Sequence, residues 1–203
     1  MSNAKNIVAR AIATRIEKVQ NSSIAQNAKD SQVKQLLPLL KVADDKRIKH
    51  ARELMSETDF NEVVKVIATC DEHGKGIEQV KTIVKIIDVI KNVSQGLSAK
   101  SNNFNCCINA MLNNGNTASR SELVIAQSAK AREGIAHKAR ESFSVRSSGY
   151  SIGTGDSQAS QVLQVLRVLG FAQYNKGERN GNAELKEYGV SMLARAYMKL
   201  ETE

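Results

Sequence analysis

The chain has 203 residues, of which 41% are apolar, enough to build a packed core, so disorder is not the expected state. Its apolar set is dominated by Ala, Val, Ile and Leu, with no Trp, four Tyr, four Phe and a single proline, a mixture that favours helices over strands. Lys and Arg outnumber Asp and Glu by 29 to 21, a net charge of +8, which places nucleic acid ahead of a membrane surface among the expected partners.

No apolar run approaches the roughly 20 residues of a spanning helix, and no basic stretch followed by an apolar segment opens the chain, so a membrane or export role is not expected. Three cysteines, two of them adjacent (Cys106 and Cys107), cannot all pair within one chain. Reduced thiols in a reducing compartment are the simplest account, and the expected location is cytoplasmic.

In chain order, apolar residues recur at Ile7, Val8, Ala11, Ile12, Ile16 and Val19, the spacing of one helical face. A polar stretch, Gln20 to Lys29, separates it from Val33, Leu36, Leu37, Leu39 and Leu40, where Pro38 is expected near a helix start or at a kink. Asp44 or Asp45 is placed to cap a helix carrying Ile48, Ala51, Leu54 and Met55. Thr58 is placed to cap the next, with Phe60, Val63, Val64 and Ile67, ended by Gly74 and Gly76. The strongest amphipathic pattern runs from Ile77 to Val93, its face so wide that contacts on more than one side are expected. A central place in an N-terminal bundle is the first use of that face, and a dimer seam the second. Gly96 and the polar run Ser98 to Asn103 mark a boundary, dividing a helical bundle at 1–97 from a module at 102–203.

The second half opens with a short helix around Phe104, Cys107, Ile108, Met111 and Leu112, stopped by Asn113-Asn114-Gly115-Asn116. Ser119 and Glu122 have capping-box spacing ahead of Leu123, Val124 and Ile125. The helix starting there is read as continuing through basic residues towards Phe143, before a Gly/Ser-rich loop from Ser147 to Gly155. Asp156 then caps a third helix, Ser157 to Leu169, polar in its first turns and apolar later. A helix end at Gly170, a short strand with Phe171 and Gln173, and a Gly-bracketed turn around Asn175 to Asn182 read as a hairpin, after which Leu185 to Gly189 lead into a last helix.

Leu169-Gly170-Phe171, the Gly- and Arg-bearing hairpin, and Leu185-x-x-x-Gly189 resemble the winged helix-turn-helix superfamily of bacterial and phage regulators. The outline extends over residues 102 to 200 and the detail over 157 to 195. The resemblance implies a C-terminal winged helix-turn-helix with a short β-hairpin wing, which together with the N-terminal helical bundle read from periodicity gives a mainly α fold. It also implies DNA contact by the helix from Ser157 and by the wing at Lys176 and Arg179. The basic insertion at about 128–155 departs from the family, which has a tight turn there.

On that frame the candidate nucleic-acid-binding residues are Arg120, Lys130, Arg132, Lys138, Arg140 and Arg146 for phosphates, with Ser157, Gln158, Ser160 and Gln161 at the start of the third helix. Lys176 and Arg179 join them at the wing. Duplex DNA is the first expected partner and RNA the second, with a homodimer through the N-terminal helices, and transcriptional regulation is the expected use. The rival class is a helical adaptor that binds a polymerase or another nucleic-acid enzyme through its winged helix. His50, His73 and His137 lie in differently patterned segments with no nucleophile and base arrangement, so no catalytic residue is expected. Cys70 and His73 give one Cys-x-x-His spacing where zinc sites show two ligand pairs, and Gly149, Gly153 and Gly155 lack the strand and Lys of a phosphate loop. No metal and no cofactor are expected.

Overall fold

The computed structural model describes residues 4–43, 46–76, 79–93, 102–128, 150–174 and 182–185, which are mainly helical with a small antiparallel sheet. The chain forms two compact units, one containing Met1–Ser98 and the other Ala99–Val190.

The described part of the first unit holds α1 (Ala4–Asn21), α2 (Gln26–Ala43), α3 (Lys46–Leu54), α4 (Glu57–Ala68) and α5 (Val80–Val93). α1 packs on α2, α3 and α4, while α5 packs on α2 and α3. The wide face of α5 is used within the unit, since Val80, Ile83, Ile86, Ile87, Val89 and Ile90 are all buried. Four boundaries differ from the sequence reading, one of them that of α5, which starts at Val80 with Gln79 still outside the helix and so does not run from Ile77. α2 begins at Gln26, inside the polar stretch, where Gln26 donates to Asp30 across one turn at 2.8 Å. Pro38 consequently lies in the helix interior, on an exposed position where water can serve the carbonyl it leaves unbonded. α4 is capped by Ser56, not Thr58: the Ser56 hydroxyl accepts from the Asp59 N–H at 3.1 Å and donates to the Asp59 carboxylate at 2.8 Å. The same helix ends at Ala68, ahead of both glycines, with the Thr69 N–H and hydroxyl returning to the Lys65 carbonyl. Asp44, Asp45 and Ile77 lie outside the described residues.

The segment after α4 folds back over α1. Asp71 accepts from the backbone N–H groups of Lys75 (2.7 Å) and His73 (2.9 Å), and the Lys75 bond in particular holds its carboxyl below the usual carboxylate range. The Ser23 N–H donates to the Glu72 carbonyl at 2.7 Å, tying this segment to the turn between α1 and α2. Gly74 takes φ +67° there, with Ile24 against the face where a Cβ would stand. Beneath it Arg15 is 1% exposed, and its guanidinium fills the space that a side chain at position 76 would need. Burial lowers the Arg15 pKa, opposed by the charges of Cys70 and Asp71.

The described part of the second unit runs α6 (Asn102–Leu112), β1 (Thr117–Ser119), α7 (Arg120–Gln127), α8 (Ile152–Val168), β2 (Ala172–Tyr174) and β3 (Asn182–Leu185). Helices α6, α7 and α8 pack on one another in all three pairings, around Phe104, Ile108, Met111, Leu123, Ile125, Val162 and Leu166. Phe104 and Phe171 meet edge to face at 5.7 Å between centroids, closing this core at the start of the hairpin. The sheet has the order β1-β3-β2, antiparallel throughout, with Ala118 opposite Ala183 and Ala172 opposite Leu185. Along β3 the side chains alternate, Ala183 and Leu185 buried and Glu184 exposed, as a strand with one face on a core requires. β1 has no counterpart in the sequence reading, because three residues are too few to show alternation.

Candidate nucleic-acid interface

The capping box at Ser119 forms as its spacing predicts. The Ser119 hydroxyl accepts from the Glu122 N–H at 3.2 Å, and the Glu122 carboxylate accepts from the Ser119 N–H at 2.8 Å. α7 ends at Gln127 instead of continuing towards Phe143. Ser128 is extended, at φ −146° and ψ 112°, and its hydroxyl donates to the Tyr150 carbonyl at 2.6 Å, which fixes the approach to α8.

α8 begins at Ile152 and not at Ser157, so residues 152–155 belong to the helix and not to the insertion. The cap is Ser151, whose hydroxyl accepts from the Thr154 N–H at 3.2 Å, and Asp156 has another role. Two glycines in the first turns conceal this start in the sequence. Gly153 stands in open space, whereas Gly155 is buried at the crossing of α8 on α7: a Cβ there would lie 3.0 Å from Ser128 Cβ and 3.4 Å from the Val124 carbonyl oxygen. The C-terminal end is as predicted. Gly170, at φ +71°, lets the Phe171 N–H reach the Leu166 carbonyl (2.8 Å) and its own N–H reach Arg167 (3.1 Å), the paired bonds of a Schellman motif.

One side of α8 is core, with Gly155, Ala159, Val162, Leu163, Val165, Leu166 and Val168 buried. Over the first turns the other side carries Thr154, Ser157, Gln158 and Gln161, none of them ionisable, at the three- and four-residue spacing of a single face; further along it Val165 and Val168 are buried, with Gln164 and Arg167 half-buried beside them. Ser157 is exposed and its hydroxyl donates to the Gly153 carbonyl at 3.0 Å, while Gln158 and Gln161 are half-buried. The sequence reading leaves Thr154 off this face because it starts the helix too late, while its division into polar first turns and apolar later ones matches the burial.

Arg120 and Ser160 are brought together. From the first position of α7, Arg120 donates to both carboxylate oxygens of Asp156: Nη2 to Oδ1 at 2.9 Å and to Oδ2 at 3.0 Å, and Nε to Oδ1 at 3.2 Å. Nη2 also donates to Ser160 Oγ at 2.9 Å. The two charged side chains are 41% and 49% exposed, so the pair sits at the rim of the α7–α8 crossing. Sequence reasoning has no access to it: the partners are 36 residues apart and share no periodic pattern. At the same end of α8, Tyr150 (39% exposed) and Ile152 (45%) leave apolar surface in solvent. Lys130, Arg132, Lys138, Arg140 and Arg146, together with Lys176 and Arg179, lie outside the described residues.

Among the described residues no three His, Cys, Asp or Glu side chains are grouped to hold a metal ion, and no helix is long and apolar enough to cross a membrane. Cys70 is half-buried, with burial raising its thiol pKa, and His73 turns Nδ1 to the Ser23 hydroxyl at 3.2 Å. Comparison with known proteins finds no matching family model, no matching curated protein and no matching solved structure.

Proposed function

We propose that the chain is a DNA-binding protein, a transcriptional regulator of bacterial or phage type, whose Ala99–Val190 unit is a winged helix-turn-helix presenting α8 to the major groove. The observation that carries this reading is the coincidence of topology and surface. The order α6, β1, α7, α8, β2, β3 with β1-β3-β2 pairing is the arrangement expected of a winged helix, and the helix in the recognition position carries in its first turns exposed Thr154 and Ser157 with half-buried Gln158 and Gln161. Such groups donate to and accept from base edges without the desolvation cost of a buried charge, and Gln158 and Gln161 suit paired contacts to adenine. The net charge of +8 supports a polyanionic partner. In this reading Lys176 and Arg179, between β2 and β3 in the sequence, and the basic residues between 130 and 146 supply phosphate contacts, and the N-terminal unit serves for dimerisation or partner contact.

The test is fluorescence anisotropy with a labelled random-sequence duplex at two salt concentrations, repeated with single-stranded DNA and with RNA. Salt-sensitive binding with the duplex preferred supports the reading, and absence of binding to all three at low salt refutes it. One observation favours a second reading, a helical adaptor that docks on a polymerase or another nucleic-acid enzyme: Tyr150 and Ile152 expose apolar side chains at the start of α8. Duplex binding unchanged when Gln158 and Gln161 are replaced by Ala, in a chain that binds such an enzyme and ceases to do so on Ile152→Ser, would decide for the adaptor.

A further inference from the structure

From the Arg120–Asp156–Ser160 fork we infer that Arg120 is a positioning residue, which fixes the start of α8 on α7 and neutralises the one carboxylate among the described residues of α8. This deepens the DNA-binding reading and rests on it. Three donor contacts from one guanidinium converge on Asp156, and a fourth engages Ser160 one turn further on. The planar fork therefore restrains α8 both along and around its axis, which a single point charge would not do. Gly155, next to Asp156, is buried against Val124 and Ser128 towards the end of α7, so the start of α8 is held there and, through the fork, at the first residue of α7.

The electrostatic consequence follows from the neighbours. Thr154, Ser157, Gln158 and Gln161 in the first turns of α8 are uncharged, and Asp156 is the only acid on the described part of this helix. A carboxylate half in solvent at the leading end of a recognition helix repels the phosphates that the helix must pass. Two unit charges about 4 Å apart in water interact by roughly 1 kcal/mol, equivalent to about fivefold in affinity. Arg120 cancels that repulsion from within the protein. Its Nε and Nη2 groups are engaged by Asp156 and Ser160, which sets Arg120 to hold the fork and not to act as a phosphate ligand.

The two roles predict opposite patterns among variants. Wild type, Arg120→Ala, Asp156→Ala and the double variant are compared for binding to the labelled duplex, at a temperature where circular dichroism shows all four folded. If Arg120 positions α8 and screens Asp156, Arg120→Ala weakens binding by at least about fivefold, and the double variant recovers most of that affinity because the exposed carboxylate is gone. The slope of log affinity against log salt then stays the same in wild type and double variant, since every phosphate contact is still made. If the double variant binds as weakly as Arg120→Ala and its salt slope is shallower by roughly 0.9, the value for a single neutralised phosphate, Arg120 is a phosphate ligand and the inference is overturned while DNA binding stands. Absence of duplex binding by the wild-type chain overturns the DNA-binding reading itself, and this inference with it.

Discussion

Gly153 and Gly155 are two residues apart in the first turns of α8, yet alanine at each should act with opposite sign. Replacing glycine by alanine within a helix gains about 0.5–1 kcal/mol by reducing the freedom of the unfolded chain, wherever the added methyl has room. At Gly153 a Cβ meets nothing within 4 Å, so Gly153→Ala should keep most of that gain. At Gly155 the methyl would lie 3.0 Å from Ser128 Cβ and 3.4 Å from the Val124 carbonyl oxygen. Neither neighbour is the free end of a flexible chain: Val124 is helix backbone, and Ser128 is held by its own hydrogen bond to the Tyr150 carbonyl. Overpacking of this kind costs about 1–3 kcal/mol, which outweighs the gain and leaves Gly155→Ala destabilised by about 1 kcal/mol. In a unit of this size that lowers the melting temperature by about 4–8 °C, while Gly153→Ala raises it by a few degrees, both readable in thermal melts followed by circular dichroism. A stability of Gly155→Ala at or above wild type would refute the close crossing of α7 and α8, and destabilisation by Gly153→Ala would refute a helix that starts at Ile152.

Three further outcomes probe the same framework. Ser151→Ala removes the α8 cap and should cost about 1 kcal/mol in urea denaturation, whereas Ser151→Asp should keep most of the stability; equal destabilisation in both would show that the cap lies elsewhere. Phe104→Ala opens a cavity beside Phe171 and should destabilise the second unit by about 3–5 kcal/mol, an expectation that fails if its melting is unmoved. Asp71 has a folded pKa below its unfolded value, so its stabilising contribution is present above the unfolded value of about 3.9 and is lost as the pH falls through the folded one. The difference in melting temperature between wild type and Asp71→Ala should thus be constant near neutrality and shrink below about pH 4; a difference that persisted in acid would assign the effect to geometry and not to charge.

Much of the architecture is legible in the sequence because it rests on local rules. The capping box at Ser119 and Glu122, the glycine stop at Gly170 and the apolar face of α5 each follow from spacing alone, and each is present. Misreadings arise where tertiary packing overrides a local signal. Gly153 and Gly155 read as loop, but one is merely tolerated in a helix turn and the other is required by the close approach of α7. Thr58 and Asp156 are competent caps by composition, yet Ser56 and Ser151 take that role, and Asp156 is drawn to a cation far away in sequence. Pro38 lies inside α2 because its missing N–H falls on the solvent side, a fact about the bundle and not about proline.

The fork also changes how the basic character of the second half should be counted. Residues 119 to 146 carry Arg120, Lys130, Arg132, Lys138, Arg140 and Arg146 against three glutamates, but Arg120 is balanced by Asp156 within the fold. On the proposed DNA-binding reading the charge offered to a polyanion is assigned to residues 130–146 and to Lys176 and Arg179, while the first turns of α8 offer hydrogen bonds without charge on Thr154, Ser157, Gln158 and Gln161. Affinity and discrimination should therefore separate on mutation. Changing Arg132, Lys138, Arg140 and Arg179 together to Ala should weaken duplex binding uniformly across sequences and reduce the salt slope by up to roughly 0.9 for each phosphate no longer neutralised. Changing Gln158 and Gln161 to Ala should leave that slope in place and instead flatten any preference found by selecting sites from a random pool. If the four-residue variant bound with the wild-type slope, the positive charge would have no part in recognition, and the surface at Tyr150 and Ile152 would become the first place to seek a protein partner.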